Sequence, residues 1–189
     1  YLKSTDKESF LYDDEWNYQA WDGHGYFDNR GKGVDIKTLV SFVRTTQPKA
    51  WERFEKLYGP NLEEVEKKYL KIFDNAVDTH GMIHILKNGF KHRGIQFRVI
   101  CFKPESGLNE TALQRYKQNV CRCIRQFHFA AQGNQTIDMV LDINGIPLVG
   151  IELKDQFNGQ DVDDAKLQWQ NRDHRETPLK FNKRMVAFF

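Results

Sequence analysis

Apolar and polar positions alternate along this chain in rhythms that change more than once. From Asp35 the spacing is helical: Ile36, Leu39, Val40 and Val43 fall on one face, and the segment ends before Pro48. Trp51 to Tyr58 makes a second helical run, closed by Gly59-Pro60. Asn61 then caps a longer helix through Val77, with Glu63 and Glu64 in the first turn, where the helix dipole favours carboxylates. Beyond Gly81 the pattern shortens. Met82 to Leu86 reads as β-prone, and Ile95 to Phe102 as a strand with mixed faces ended by Pro104. A helix is expected from Leu108 to about Phe127, followed by two strands, Ile137–Ile143 and Pro147–Lys154, joined at Asn144-Gly145. A glycine-containing loop, Phe157 to Gln160, leads to a helix from about Val162 to Arg172, and the run Met185 to Phe189 closes the chain as a strand. Residues 1–34 are aromatic and glycine-rich with weak periodicity; Trp16, Tyr18, Trp21, Tyr26 and Phe27 predict a packed, irregular start. Helices, then a meander, then a helix crossing to another strand predict an α/β domain with a mixed sheet flanked by helices. Residues 1–80 form its mainly helical part and residues 81–189 its sheet core.

The hairpin carries the chemistry, and its faces follow from strand alternation. Ile137, Met139, Leu141 and Ile143 share one face of the first strand, while Asp138, Val140 and Asp142 share the other. On the second strand Val149, Ile151 and Leu153 oppose Leu148, Gly150, Glu152 and Lys154. A plain two-residue turn at Asn144-Gly145 would set Asp138 opposite Ile151, mixing a carboxylate with an apolar face. A shift of one residue reunites both apolar faces. The expectation is therefore an odd loop, most simply three residues with Gly145 left-handed and a bulge, which sets Asp138 and Glu152 on one face with Lys154 beside them.

Composition then narrows the setting. With 189 residues, 40% of them apolar, one well-filled core is within reach, which excludes a disordered or collagen-like chain. No apolar run approaches the ~20 residues of a membrane span. Three cysteines, an odd number, point to free thiols in a reducing compartment, hence the cytoplasm. Tyr1 at the start and the unpunctuated apolar ending read as a fragment of something longer. The net charge of +2 argues against a uniformly basic coat on nucleic acid, yet leaves room for a local basic groove.

Two carboxylates on neighbouring strands can hold a hard divalent cation such as Mg²⁺, which takes one or two such ligands. A lysine alongside can orient the attacking water and offset charge on a phosphorane-like transition state. Asp138, Glu152 and Lys154 have the form D-x13-E-x-K. Acid-x-Lys triplets are also common on solvated strand faces, so the pattern alone is unspecific. The following helix adds context, because Ala165, Gln168, Trp169 and Arg172 share one of its faces. Gln168 lies fourteen residues past Lys154, close enough for that helix to return over the acidic face.

The run from Thr136 to Gln160, its continuation from Asp164 to Asp173, and the closing run from Phe181 to Phe189 resemble the nuclease core of the R subunit of type I restriction–modification enzymes. Upstream, Phe42 to Trp51, Phe102-Lys-Pro104 with Leu108-Asn109, and Arg125-Gln126 fit the same family, so the resemblance runs from about residue 35 to 189. It implies a restriction-endonuclease-like PD-(D/E)xK fold that cuts double-stranded DNA with Mg²⁺. In the parent enzyme, cleavage follows ATP-driven translocation by a motor after this domain, with methylation and specificity subunits as partners. It also implies that Asp138 and Glu152 are metal ligands, Lys154 the catalytic lysine, and Gln168 the glutamine that orients site and DNA. Two features depart from the family pattern: no proline precedes Asp138, and Arg172 stands where a tyrosine often follows the glutamine. The resemblance also implies that a glutamate of the first helix often joins the site; Glu8 and Glu15 are the candidates for it, if any does, and the sequence does not choose between them. Alternative readings are a stand-alone or repair-type nuclease of the same superfamily, and an inactive DNA-clamping or subunit-docking module.

Other groupings have plainer readings. Cys121-Arg-Cys123 with His128 lacks a fourth ligand and has poor tetrahedral spacing, so buried free thiols on a helix are expected. His80 and His84 are read as ordinary histidines on a turn and a strand, and Asp142 as a solvated carboxylate beside the turn. No Gly-x4-Gly-Lys-Ser/Thr occurs, so ATP binding is not expected within this sequence. Arg115, Lys117, Arg122 and Arg125 are read as the wet face of a helix, with phosphate contacts expected from some of them if the nuclease site lies nearby. Arg125 and Arg172 are the DNA-binding candidates.

Overall fold

A computed structural model of the chain describes residues 17–22 as backbone and, beyond them, residues 33–106, 108–130, 133, 135–154 and 162–189. Strand β1 (Asn17–Asp22) is followed by α1 (Ile36–Thr46), α2 (Pro48–Tyr58), α3 (Leu62–His80) and α4 (Met82–Asn88). Next come β2 (Phe90–His92), β3 (Ile95–Phe97), α5 (Glu110–Lys117), β4 (Val120–His128), β5 (Thr136–Ile143) and β6 (Ile146–Ile151). Helix α6 (Val162–Asn171), a 3-10 turn (Thr177–Leu179) and β7 (Ala187–Phe188) complete the chain. The main sheet has the order β1-β4-β5-β6-β7. β4, β5 and β6 run antiparallel in succession, while β1 and β7 lie parallel to their neighbours. The architecture is α/β with a mixed sheet flanked by helices.

The helices start and stop where the side chains dictate. Asp35 caps α1 by accepting from the Thr38 amide at 3.2 Å, and Pro48 opens α2, where its missing N–H costs nothing. Asn61 accepts from the amides of Glu63 and Glu64 to cap α3. Their apolar stripes meet in one core: Leu39 and Val43 of α1, Trp51 and Phe54 of α2, and Tyr69, Phe73 and Val77 of α3 pack with Phe90 and Phe97. Edge-to-face pairs tighten it, with Phe54–Phe97 and Tyr69–Phe97 centroids 5.5 and 5.3 Å apart. Ile146 and Leu148 of β6 belong to this core. A second core, under α6, joins Ile124, Phe127, Phe129, Ile137, Val140, Leu179 and Met185, with Trp169 and Phe188 packed against it.

Four expectations are corrected. Met82–Leu86 is helical, not extended: Met82 and Ile85 are buried at helical spacing, and Asn182 caps the turn from a hundred residues away, accepting from the Met82 and Ile83 amides at 2.6 and 3.0 Å. The strand from Ile95 stops at Phe97 and pairs with an unforeseen β2. Beyond it, Gln47 takes both the Arg98 amide and its carbonyl at 2.8 Å, and Asn119 brackets the Cys101 backbone, so side chains replace a ladder there. The helix expected to reach Phe127 ends at Lys117, and Val120–His128 is a central strand in which Cys121 to Ile124 are all buried, so it lacks the in-out alternation that marks a half-buried strand. Finally, residues 17–22 are an ordered edge strand rather than irregular start; Trp16, Tyr26, Phe27, Glu8 and Glu15 lie outside the described residues.

With 120–128 a strand beside β5, the reading of four further residues changes. Arg122 is not on a wet helix face; it is fully buried, donating to Asp142 at 2.7 Å and Asp35 at 2.9 Å. Asp142 is likewise fully buried rather than solvated. Cys121 and Cys123 are buried free thiols, on a strand instead of a helix. His80 and His84 sit on either side of Gly81, at the end of α3 and within α4, with rings stacked 5.0 Å apart. Burial, reinforced by the Asp142 charge and by Cys123, pushes the Cys121 thiol up to about 12. Cys121 is expected to resist iodoacetamide at pH 8 in the native chain and to alkylate fully in urea, as read by mass spectrometry. Rapid labelling of the native chain at Cys121 would contradict this packing.

Candidate functional site

The site is set by the register of the β5–β6 hairpin. Its turn has two residues, Asn144 and Gly145, both left-handed (φ 54° and 86°), and Ile143 pairs with Ile146. The expected three-residue loop is therefore wrong. Asparagine tolerates this conformation, and the Asn144 side chain is held three ways. Its amide donates to the Val99 carbonyl and Asn119 Oδ1, and its oxygen accepts from the Val120 amide. A Cβ on Gly145 would fall 2.4 Å from the Asp35 carbonyl oxygen, so only glycine fits there.

The one-residue shift comes instead from a bulge inside the ladder. Asp142 pairs with Pro147 but Leu141 pairs with Val149, leaving Leu148 as the extra residue. Leu148 drops into the helical core, and its carbonyl accepts from the Val186 amide at 2.8 Å. Beyond the bulge Met139 pairs with Ile151, so the next step of the register sets Asp138 across from Glu152. The Leu153 amide donates to Asp138 Oδ2 at 2.8 Å, closing that step.

Helix α6 completes the arrangement. Gln168 donates from Nε2 to Glu152 Oε2 at 2.7 Å and accepts from Lys154 Nζ at its Oε1. Arg172, just past the helix, donates from Nη2 to Glu152 Oε1 and to the Thr136 carbonyl at 2.9 Å. Asp138, Glu152, Lys154, Gln168 and Arg172 are thus brought together, two carboxylates against two cations. Burial pushes the Glu152 carboxyl up from its ordinary value; Arg172 pulls it back down, and the nearby Asp138 charge pushes it up again. Arg125 is exposed on β4, opposite Met139 and hence one residue from the Asp138 step. Arg115 and Lys117 are exposed on α5.

Several supporting residues were not foreseen. Gln126, left-handed at φ 51°, turns its amide toward Asp138 Oδ1 at 3.3 Å and accepts from Thr136 Oγ1 at 2.9 Å. Gly150 lets α6 press onto β6: a Cβ there would meet the Trp169 ring at 2.7 Å and the Met185 sulfur at 3.0 Å. Gly150→Val is expected to lift α6 from the sheet and cost about 1–3 kcal/mol by overpacking, measured by urea unfolding with tryptophan fluorescence. An unchanged urea midpoint would show that Trp169 does not rest on Gly150. An isolated glycine inside an apolar strand was the available signal of such close approach.

The donor set suits a hard cation. Asp138 and Glu152 are the carboxylates at the site, and Mg²⁺ typically takes one or two, completing its shell with water and phosphate oxygen. Among the described residues no three His, Cys, Asp or Glu side chains cluster to hold a metal ion, and no described helix is long and apolar enough to cross a membrane.

The family model of the type I restriction enzyme R protein N terminus matches residues 16–188. No curated protein and no solved structure matches the chain.

Proposed function

The chain belongs to the family of type I restriction enzyme R protein N termini, and from that premise we propose that it is the Mg²⁺-dependent endonuclease domain of such an enzyme. Its substrate is double-stranded DNA, hydrolysed at phosphodiester bonds after ATP-driven translocation by a motor outside this sequence. The methylation and specificity subunits supply recognition. The observation that carries this reading is the bulge-set register, which faces Asp138 with Glu152 and ties both Lys154 and Glu152 to one glutamine.

In this reading Asp138 and Glu152 hold the cation, which when bound supplies a Lewis acid and a water that deprotonates readily. The Leu153 amide and Gln126 fix the Asp138 carboxylate in place. Gln168 orients two groups at once, donating to Glu152 while accepting from Lys154. Lys154 places its ammonium where negative charge develops on the phosphoryl oxygens. Arg125, exposed on β4 one residue from the Asp138 step, offers a phosphate contact that is sequence-independent and salt-sensitive.

Lys154→Ala tests the assignment in the intact complex. Cleavage is expected to fall by roughly 10²–10³-fold with ATP hydrolysis and translocation unchanged, because one charge-stabilising donor is removed. Unchanged cleavage would remove Lys154 from the chemistry.

A further inference from the structure

We infer that Arg172 is a built-in counter-cation for the metal carboxylate: it occupies the Glu152 oxygen that a bound cation must take and yields it when the metal enters. The inference rests on the reading of Glu152 as a metal ligand.

The geometry is specific. Both oxygens of Glu152 are engaged, Oε2 by Gln168 and Oε1 by Arg172. Gln168 brings a neutral amide, so Arg172 is the group that sets positive charge directly on this carboxylate. Its side chain is 9% exposed and that of Glu152 0%, so little water screens the pair. The guanidinium is gripped from two sides, 4.9 Å from the Phe129 ring centre and 5.1 Å from that of Trp169. It also reaches the Thr136 carbonyl, one residue beyond the ladder step before Asp138. Its Nε is buried without a hydrogen-bond partner. Such a seat holds the cation close to the site but leaves it incompletely satisfied.

Two consequences follow from charge alone. Without metal, two carboxylates facing each other across a ladder would repel, and Arg172 offsets that repulsion and keeps Glu152 aimed. With metal, a divalent cation and a guanidinium compete for one oxygen, so Arg172 weakens metal binding. Arg172 is therefore a positioning residue, and its removal should strengthen metal affinity while weakening the metal-free fold.

Calorimetric titration of the full chain with Mn²⁺ tests this without reference to cleavage. Arg172→Gln is expected to tighten Mn²⁺ binding by about tenfold or more, since a like charge beside the site is removed. Its thermal midpoint without metal should fall, and Mn²⁺ should recover more of it than in the wild type. Arg172→Lys, which keeps the charge, should bind Mn²⁺ within about twofold of wild type. If Arg172→Gln does not fold, Arg172→Met keeps the stem packed between Phe129 and Trp169 and takes its place. Equal or weaker Mn²⁺ binding by the neutral variants, with wild-type binding that Asp138→Asn abolishes, would overturn the inference and leave the metal site standing. Mn²⁺ binding that Asp138→Asn does not alter, or no Mn²⁺ binding by any of these proteins, would overturn both.

Discussion

Asp138→Asn is expected to lower DNA cleavage by at least about 10³-fold, since metal-assisted charge stabilisation is worth several kcal/mol, while leaving the chain as stable as before or slightly more so. Asparagine has the size of aspartate and still accepts from the Leu153 amide that Asp138 Oδ2 engages at 2.8 Å. It removes the negative charge that faces Glu152, one of the causes holding the Glu152 carboxyl up from its ordinary value. A folded-state carboxyl pushed upward favours the fold only at low pH, and that contribution is lost as pH rises through its folded value. Relieving part of the shift should therefore raise the thermal midpoint most at neutral pH. A residue kept for stability would show the reverse, a lower midpoint with activity retained. The paired readout, thermal unfolding against cleavage by the intact complex, separates the two, and stability gained as activity is lost is the behaviour of a functional carboxylate.

The second large effect lies away from the site. Arg122→Leu is expected to destabilise the chain by about 3–5 kcal/mol, because breaking a buried ion network strands its remaining charges. Arg122 is fully buried and spans three elements: it lies on β4, donates from Nε to Asp142 of β5, and from Nη1 to Asp35, the cap of α1. Both carboxylates have further duties. Asp142 accepts from the Gly145 amide at 3.2 Å, and Asp35 accepts from the Thr38 hydroxyl at 2.8 Å. Losing the guanidinium therefore loosens the turn and the start of α1 together. Urea unfolding measures the cost. Arg122→Leu combined with Asp142→Leu should be less destabilised than Arg122→Leu alone, since the pair is then replaced rather than broken. A loss under 1 kcal/mol for Arg122→Leu would contradict the network.

How much of this was legible in the sequence follows the range of the forces involved. Helices α1 to α3 were readable because their caps and apolar stripes are local: Asp35, Pro48 and Asn61 act within a turn of themselves. The facing of Asp138 and Glu152 was also readable, since mixing a carboxylate into an apolar face is costly in any register. Where the extra residue sits was not. Asn144 forms a two-residue turn because Val99, Asn119 and Val120 hold its side chain, and those contacts come from distant segments. The same holds for α4, whose cap is Asn182, and for Arg122, whose charge looked solvated until β4 placed it between two carboxylates. Arg172 lies just past the end of α6 rather than on its face, yet still beside Gln168, and a guanidinium at that spacing suits a phosphate as well as a glutamate; only the fold shows it on Glu152.

The proposed metal site for phosphodiester hydrolysis consists of Asp138 and Glu152. The most direct measurement is anomalous diffraction from crystals of the protein soaked in Mn²⁺. Density is expected between the two carboxylates, within ligand distance of both, with Lys154 alongside. Carboxylates turned to opposite faces, or no density between them at Mn²⁺ concentrations that support cleavage, would contradict the proposed site.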